Sequence, residues 1–447
     1  MKTPICDFVR DYREKNALRL HMPGHKGNTL LGMESADITE IDGADSLYEA
    51  DGIIRESEEN ASHLFGSAAT FYSTEGSSLC IRAMLYLAKC AATQSGKSFV
   101  VLAARNVHKT FLSATALLDF EPEWLVPAQS NSYLSCPIDT AALETRLAKG
   151  DVTAVYLTSP DYLGNCADIA SIARLCHRYG SLLLVDNAHG AYLKFLQPSQ
   201  HPLDLGADLC CDSAHKTLPA LTGAAYLHLS SYAPVWMTGQ AKYALSLFGS
   251  TSPSYLILQS LDAVNVYLAG EFEKKLAAYT AEVNIFKKHL CSLGFDLVGA
   301  EPLKITISPK SYGYTGTNLA ALLAQRGIVC EFADPDFVVL MLSCELPQNT
   351  FAKLGDVLAG IERKEPIQDP LPMTTKLPVR VMSIRDTLFC EKETIPLSKA
   401  HGRVLASLHV ACPPAVPIAV AGEKLDGITL SLFAYYGKTT CDVIKGV

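Results

Sequence analysis

Between Phe99 and His228, short apolar runs alternate with segments of helical periodicity. The runs are Phe99-Val100-Val101-Leu102, Ala154-Val155-Tyr156-Leu157, Leu182-Leu183-Leu184-Val185 and Ala224-Ala225-Tyr226-Leu227. A strand with one wet face must alternate polar and apolar residues, so runs apolar throughout predict strands covered on both faces, as in a mostly parallel α/β sheet. One intervening segment carries most helix signals: Asp168 as N-cap, Ile169, Ile172, Ala173, Leu175 and Cys176 on one side, His177 and Arg178 in the last turn, and Gly180 beyond. Residues 154–185 therefore read as a βαβ unit. Ligands of such sheets bind past the carboxyl ends of strands, where Ser159 and Asp186 fall.

A second helical pattern runs from about Gly270 to Leu293, stops at Gly294 and leads towards a smaller domain. The proline-rich stretch 364–378 reads as a linker. With 447 residues, 49% hydrophobic and 19% charged, the chain can bury a large core and is not disordered. A net charge of −8 leaves no basic surplus for a phosphate backbone, so nucleic acid is not an expected partner. Charged residues interrupt the first turns, where an export signal would be apolar, and Val410 to Gly422 is short and carries Pro413, Pro414 and Pro417. No membrane span is expected, and fourteen scattered cysteines without a C-x-x-C motif fit a reduced, cytoplasmic protein. The His21-x-x-x-His25 spacing contains Pro23-Gly24, which bars a helical metal pair, so no metal is expected.

Chemistry concentrates after the strands. Lys216 follows Ser213-Ala214-His215 in a segment poor in charge; a partly desolvated amine there can form an imine with an aldehyde, although a lone lysine is ordinarily a solvated one. Asp186 ends a buried run, where an aspartate needs a cationic partner such as a protonated pyridine nitrogen, or else caps the next turn. Together the two suggest pyridoxal phosphate. Ser73-Thr74-Glu75-Gly76-Ser77-Ser78 opens a helical pattern whose amide groups could cradle a phosphate, or form an ordinary helix start. Ser213 could add a hydroxyl to that phosphate, and His108 lies past a strand where its ring could stack on a planar cofactor.

These motifs, with His21-Met22-Pro23-Gly24-His25-Lys26-Gly27, Asn106-Val107-His108-Lys109-Thr110, Thr158-Ser159-Pro160-Asp161-Tyr162, Val185-Asp186-Asn187-Ala188-His189-Gly190-Ala191 and Ser213-Ala214-His215-Lys216-Thr217-Leu218-Pro219-Ala220, closely resemble the Orn/Lys/Arg decarboxylase family. The resemblance runs in order from about residue 5 to 260 and weakens later, through Pro413-Pro414 and Gly422-Glu423. It implies fold type I of the pyridoxal-phosphate enzymes, with a mostly parallel large domain and a smaller C-terminal α/β domain. The expected boundaries are an N-terminal segment at 1–55, a cofactor-binding domain at 56–265, a small α/β domain at 266–365 and a C-terminal decarboxylase-like domain at 379–447.

By this resemblance Lys216 is the Schiff-base lysine, Asp186 partners the pyridinium, and His108 stacks on the ring. His215 stands beside the lysine, His189 contacts the cofactor, and Gly76, Ser77, Ser78 and Ser213 hold the phosphate. Thr251 resembles a hydroxyl lent to the neighbouring subunit, implying a homodimer or larger homo-oligomer with shared sites, and Glu331 resembles an acceptor for the substrate's distal cation. The implied reaction is α-decarboxylation of lysine, arginine or ornithine, with His215 or Lys216 returning the proton. An aminotransferase or β-elimination lyase would use the same lysine and aspartate, and Arg326 is a possible carboxylate clamp for the former. A pyridoxal-phosphate-binding protein without turnover is a third alternative. Glu75 and Gly223-Ala224-Ala225 depart from the family pattern, the first by adding an anion beside the phosphate loop.

Overall fold

Each of the four apolar runs forms a strand with slightly shifted ends. The computed structural model describes residues 1–127, 132–368, 376–408 and 416–446. Strands β1 (Ala69–Ser73), β2 (Val101–Ala104), β3 (Glu123–Leu125), β4 (Ala154–Thr158), β5 (Leu182–Asp186), β6 (Leu209–Asp212) and β7 (Ala225–Leu229) share a mostly parallel sheet in the order β1-β7-β6-β5-β4-β2-β3. Every residue of β2, β6 and β7 is buried, which is why their sequences show no alternation. The exception to parallel order is β7, antiparallel to both β1 and β6.

The expected helix forms as Ile169–Arg178 and buries Ile169, Ile172, Ala173, Leu175 and Cys176, the residues its periodicity singled out. The longer pattern forms helix Phe272–Ser292, with Gly294 in the left-handed region at φ +95°. Helix Ser77–Gln94 packs against β5, β6 and β7 and buries Leu79, Ile81, Met84, Leu85 and Leu87. Burying each such side chain stabilises the fold by roughly 1.5–3 kcal/mol. The helix thereby fixes where its own first turn lies along the strands.

The chain divides into two compact units, one of residues 1–99, 153–155 and 169–277, the other of residues 100–152, 156–168 and 278–447. In the first, β5 and β6 are parallel neighbours, with Asp186 opposite Cys211. In the second, strands β8 (Asp296–Val298), β9 (Lys304–Ser308), β10 (Phe332–Ala333) and β11 (Val338–Met341) form an antiparallel sheet ordered β10-β11-β9-β8. Leu134, Leu163, Phe332, Phe337, Val339 and Val416 make one of that unit's buried clusters. Near the carboxyl end, β12 (Lys392–Pro396) pairs with β13 (Thr440–Ile444). Part of the expected linker, and the Pro413-Pro414 segment, lie outside the described residues. No helix among those described is long and apolar enough to cross a membrane.

Candidate active site

The register of β5 and β6 decides which side chains can meet. Asp186 is the last residue of β5 and is 2% exposed. One strand over, β6 ends at Asp212 and runs through Ser213 into the short helix Ala214–Thr217, which carries His215 and Lys216. The turn after β5 reaches this helix: His189 Nε2 lies 3.0 Å from Lys216 Nζ. The modest alternative for Asp186 is realised as well, since the Ala188 N–H donates to its Oδ1 at 3.2 Å. Capping engages one oxygen of the carboxylate and is compatible with a second task for the group.

The phosphate loop comes to the same ends. Ser213 Oγ donates to Ser77 Oγ at 2.9 Å, bringing together two hydroxyls that the sequence keeps far apart. Gly76 starts helix Ser77–Gln94 at φ +71°, and no side chain caps that helix. A Cβ at Gly76 would find no heavy atom nearer than the Ser78 nitrogen at 4.0 Å, so the approach to the first turn is open. Open space, a helix start and paired hydroxyls are what a phosphate requires. A buried carboxylate that ends β5 and a lysine amine on the helix after β6 are groups that suit a pyridine nitrogen and an aldehyde. These residues fit pyridoxal phosphate.

Both departures from the family pattern acquire a structural meaning. Gly223 adopts φ +98°, its carbonyl accepts the Gly76 N–H at 2.7 Å, and a Cβ there would lie 2.8 Å from the Thr74 oxygen. A bulkier residue at 223 would push the phosphate loop away. Glu75 turns to the Ser250 N–H, which donates to its Oε1 at 2.5 Å. It therefore ties the phosphate loop to the loop that bears Thr251, whose own side chain is exposed.

His215 is half-buried, and its Nδ1 lies 2.8 Å from the Ala224 carbonyl. Burial lowers its affinity for a proton. Three further candidates belong to the second unit. His108 is the N-cap of helix Lys109–Leu118 and accepts the Thr110 N–H at Nδ1. Glu331 is exposed and accepts a hydrogen bond from the Tyr162 hydroxyl at 2.9 Å. Arg326 is exposed and donates to the Leu322 carbonyl of the preceding helix, Gly316–Ala324.

The sequence reading passed over Asn187, His201, Asp212 and His228, all 0% exposed. The signal was present: Asp212 closes the apolar run Leu209-Cys210-Cys211 just as Asp186 closes its own.

Comparison with known proteins identifies the family. Residues 3–294 match the model of the Orn/Lys/Arg decarboxylase major domain. The chain is 31% identical over 450 residues to the uncharacterized protein YaaO of Bacillus subtilis, covering 95% of this chain and 92% of the relative. It is 28% identical over 456 residues to an arginine decarboxylase of the same organism, covering 94% and 91%. Among solved structures, the constitutive lysine decarboxylase of Escherichia coli superposes with a TM-score of 0.80 at 19% identity, covering 99% of this chain and 82% of that one. The fold is type I of the pyridoxal-phosphate enzymes. With that fold, and with a family model spanning both the phosphate loop and the lysine helix, the chain belongs to the Orn/Lys/Arg decarboxylase family.

Proposed function

We propose that the chain releases the α-carboxylate of a basic amino acid as CO₂, using pyridoxal phosphate, with arginine the first substrate to test. Arginine leads because the relatives that match over most of both chains include several named arginine decarboxylase. The observation that carries the reading is the placement of Asp186 at the end of β5 and of Lys216 on the short helix that follows the adjacent parallel strand β6, with His189 against the lysine amine.

When bound, pyridoxal phosphate supplies an electron-accepting ring for the pair left at Cα as CO₂ departs. Gly76, Ser77, Ser78 and Ser213 hold the phosphate, with Thr251 contributed from a second copy of the chain in a homodimer. Asp186, kept from water, holds a proton on the ring nitrogen. His108 would be the residue to stack on the ring, and His189 would help bind the cofactor. Lys216 Nζ would be the amine that holds the cofactor's aldehyde end in the resting enzyme and is freed when substrate binds. The Nδ1 of His215 is engaged by the Ala224 carbonyl. Cα would regain its proton from Lys216 Nζ or, if the imidazole is first protonated at Nε2, from His215. Glu331, held by the Tyr162 hydroxyl, receives the distal cation, since an ammonium or guanidinium removed from water needs a counter-charge.

The test is to supply carboxyl-labelled arginine, lysine and ornithine with pyridoxal phosphate and to trap the gas. Labelled CO₂ and the corresponding amine are expected from at least one. An oxo acid with the label retained would replace this reading with an aminotransferase.

A further inference from the structure

A carboxylate and two imidazoles, fully buried, lie where the two catalytic segments meet. Asp212 Oδ2 is 3.0 Å from His201 Nε2 and 3.2 Å from His228 Nε2, while Asn187 Nδ2 donates to Oδ1 at 2.7 Å. His201 Nδ1 accepts the Leu203 N–H, which places that ring's proton on Nε2, pointing at Asp212. His228 is held on its other side by Thr70, whose hydroxyl lies 2.8 Å from Nδ1. Burial works to raise the Asp212 pKa, but His201 and His228 outweigh it and hold the group well below the usual carboxylate range. His201, Cys210 and Asp212 are the one grouping among the described residues that could share a metal ion. Both nitrogens of His201 are already engaged within the chain, so the cluster is closed on itself.

Stability alone is a weak reason for such a cluster, because apolar side chains of similar volume usually fill buried space at no greater cost. What the cluster holds is more informative. Asn187 is fastened to β6 twice, by its N–H to the Cys211 carbonyl at 3.0 Å and by its side chain to Asp212. The Asn187 carbonyl in turn accepts the Gly190 N–H at 2.8 Å, closing the turn that carries Asp186 and His189. A Cβ at Gly190 would sit 2.0 Å from Asn187 Oδ1, so the turn is shaped around that side chain. In the other direction Asp212 continues directly into Ser213 and Lys216.

We propose that Asp212 is a positioning residue which, through Asn187, locks the turn bearing Asp186 and His189 to the segment bearing Ser213 and Lys216. The inference rests on the pyridoxal-phosphate decarboxylase reading. It sets the separation between the group that meets the ring nitrogen and the amine that meets the aldehyde, a distance neither segment can fix alone.

The test compares Asp212→Asn, Asn187→Ala and the double variant, each checked for native unfolding temperature. Asn187→Ala leaves the Asp212 cluster with both histidines and serves if Asp212→Asn does not fold. Either single variant is expected to lower kcat by about 100-fold, the scale of a small misplacement of reacting groups, with KM changing less. Apoenzyme titrated with pyridoxal phosphate should bind about 10-fold more weakly, and the double variant should match the worse single variant, because both changes cut one link. Folded variants with wild-type turnover and cofactor affinity, or losses that simply add, would overturn the proposal. Lys216→Ala separates the two readings. If it loses decarboxylation while the Asn187 and Asp212 variants behave as wild type, only the positioning role falls; if it keeps decarboxylation, Lys216 does not hold the cofactor and the pyridoxal-phosphate reading falls, taking the positioning role with it.

Discussion

Two buried aspartates, one in each unit, begin their turns in the same way and differ in everything else. Asp186 accepts the Ala188 N–H at Oδ1, and Asp334 accepts the N–H groups of Asp336 and Phe337 at Oδ1. The turn after Asp186 carries His189, which reaches the Lys216 amine, and the strand beside it leads into Ser213, which meets Ser77. Around Asp334 the chain assembles a second aspartate, and the Asp334 Oδ2 is buried with no hydrogen-bond partner. Burial pushes the Asp334 pKa up to about 7. Capping a turn therefore does not distinguish a functional carboxylate from a structural one.

The largest effect that could break this comparison is at the lysine. Lys216→Ala should abolish CO₂ release and the visible absorbance of bound pyridoxal phosphate; a purified variant retaining both would remove Asp186 from any catalytic company. Asp186→Asn preserves an oxygen for the Ala188 N–H but loses the charge. It should lower kcat by about 10²–10³-fold, the range for losing one aimed electrostatic group, with little change in unfolding temperature. A variant that unfolds early yet turns over normally would make Asp186 a second Asp334.

Asp334→Asn should act on stability. The folded-state pKa lies above the unfolded value, so the wild-type group favours folding below the ordinary carboxylate pKa, and that contribution is lost as pH rises towards about 7. Replacement by asparagine should erase this slope between roughly pH 4 and 7 and stabilise the protein at pH 8 by roughly 1–3 kcal/mol in denaturant titrations. An unchanged slope would mean the carboxyl is not held protonated. The smallest expected effect is at Glu331, which is exposed: Glu331→Gln should raise KM for the cationic substrate by about 5-fold or less and leave kcat intact. A fall in kcat instead would move Glu331 from substrate recognition to the reaction itself.

The strands and helices that carry this comparison were legible where burial leaves a one-dimensional trace. The stripe Ile169, Ile172, Ala173, Leu175 and Cys176 could be read because helix geometry repeats it, and β5 because no polar residue interrupts it before Asp186. Strand β1, Ala69–Ser73, escaped notice because polar Thr70 and Ser73 are buried in it beside Tyr72, which leaves no apolar pattern to read. Of the candidate site, the chemically distinctive residues stood out by type and by the company of their motifs. The network of Asp212, His201, His228 and Asn187 did not, because it depends on pairings across strands: Cys210 opposite His228, and Asp186 opposite Cys211. Glu75 looked like an unwanted anion until the Ser250 N–H supplied its partner from a distant loop. Gly223 looked like a missing side chain until the Thr74 carbonyl was found in the space that a side chain would need.

The most direct measurement is chemical. Holoenzyme reconstituted with pyridoxal phosphate would be reduced with borohydride, digested and mapped by mass spectrometry. The account predicts the added cofactor mass on the peptide containing Lys216 and on no other lysine. Cofactor fixed elsewhere in the chain, or none fixed to a protein that still releases CO₂, would contradict it.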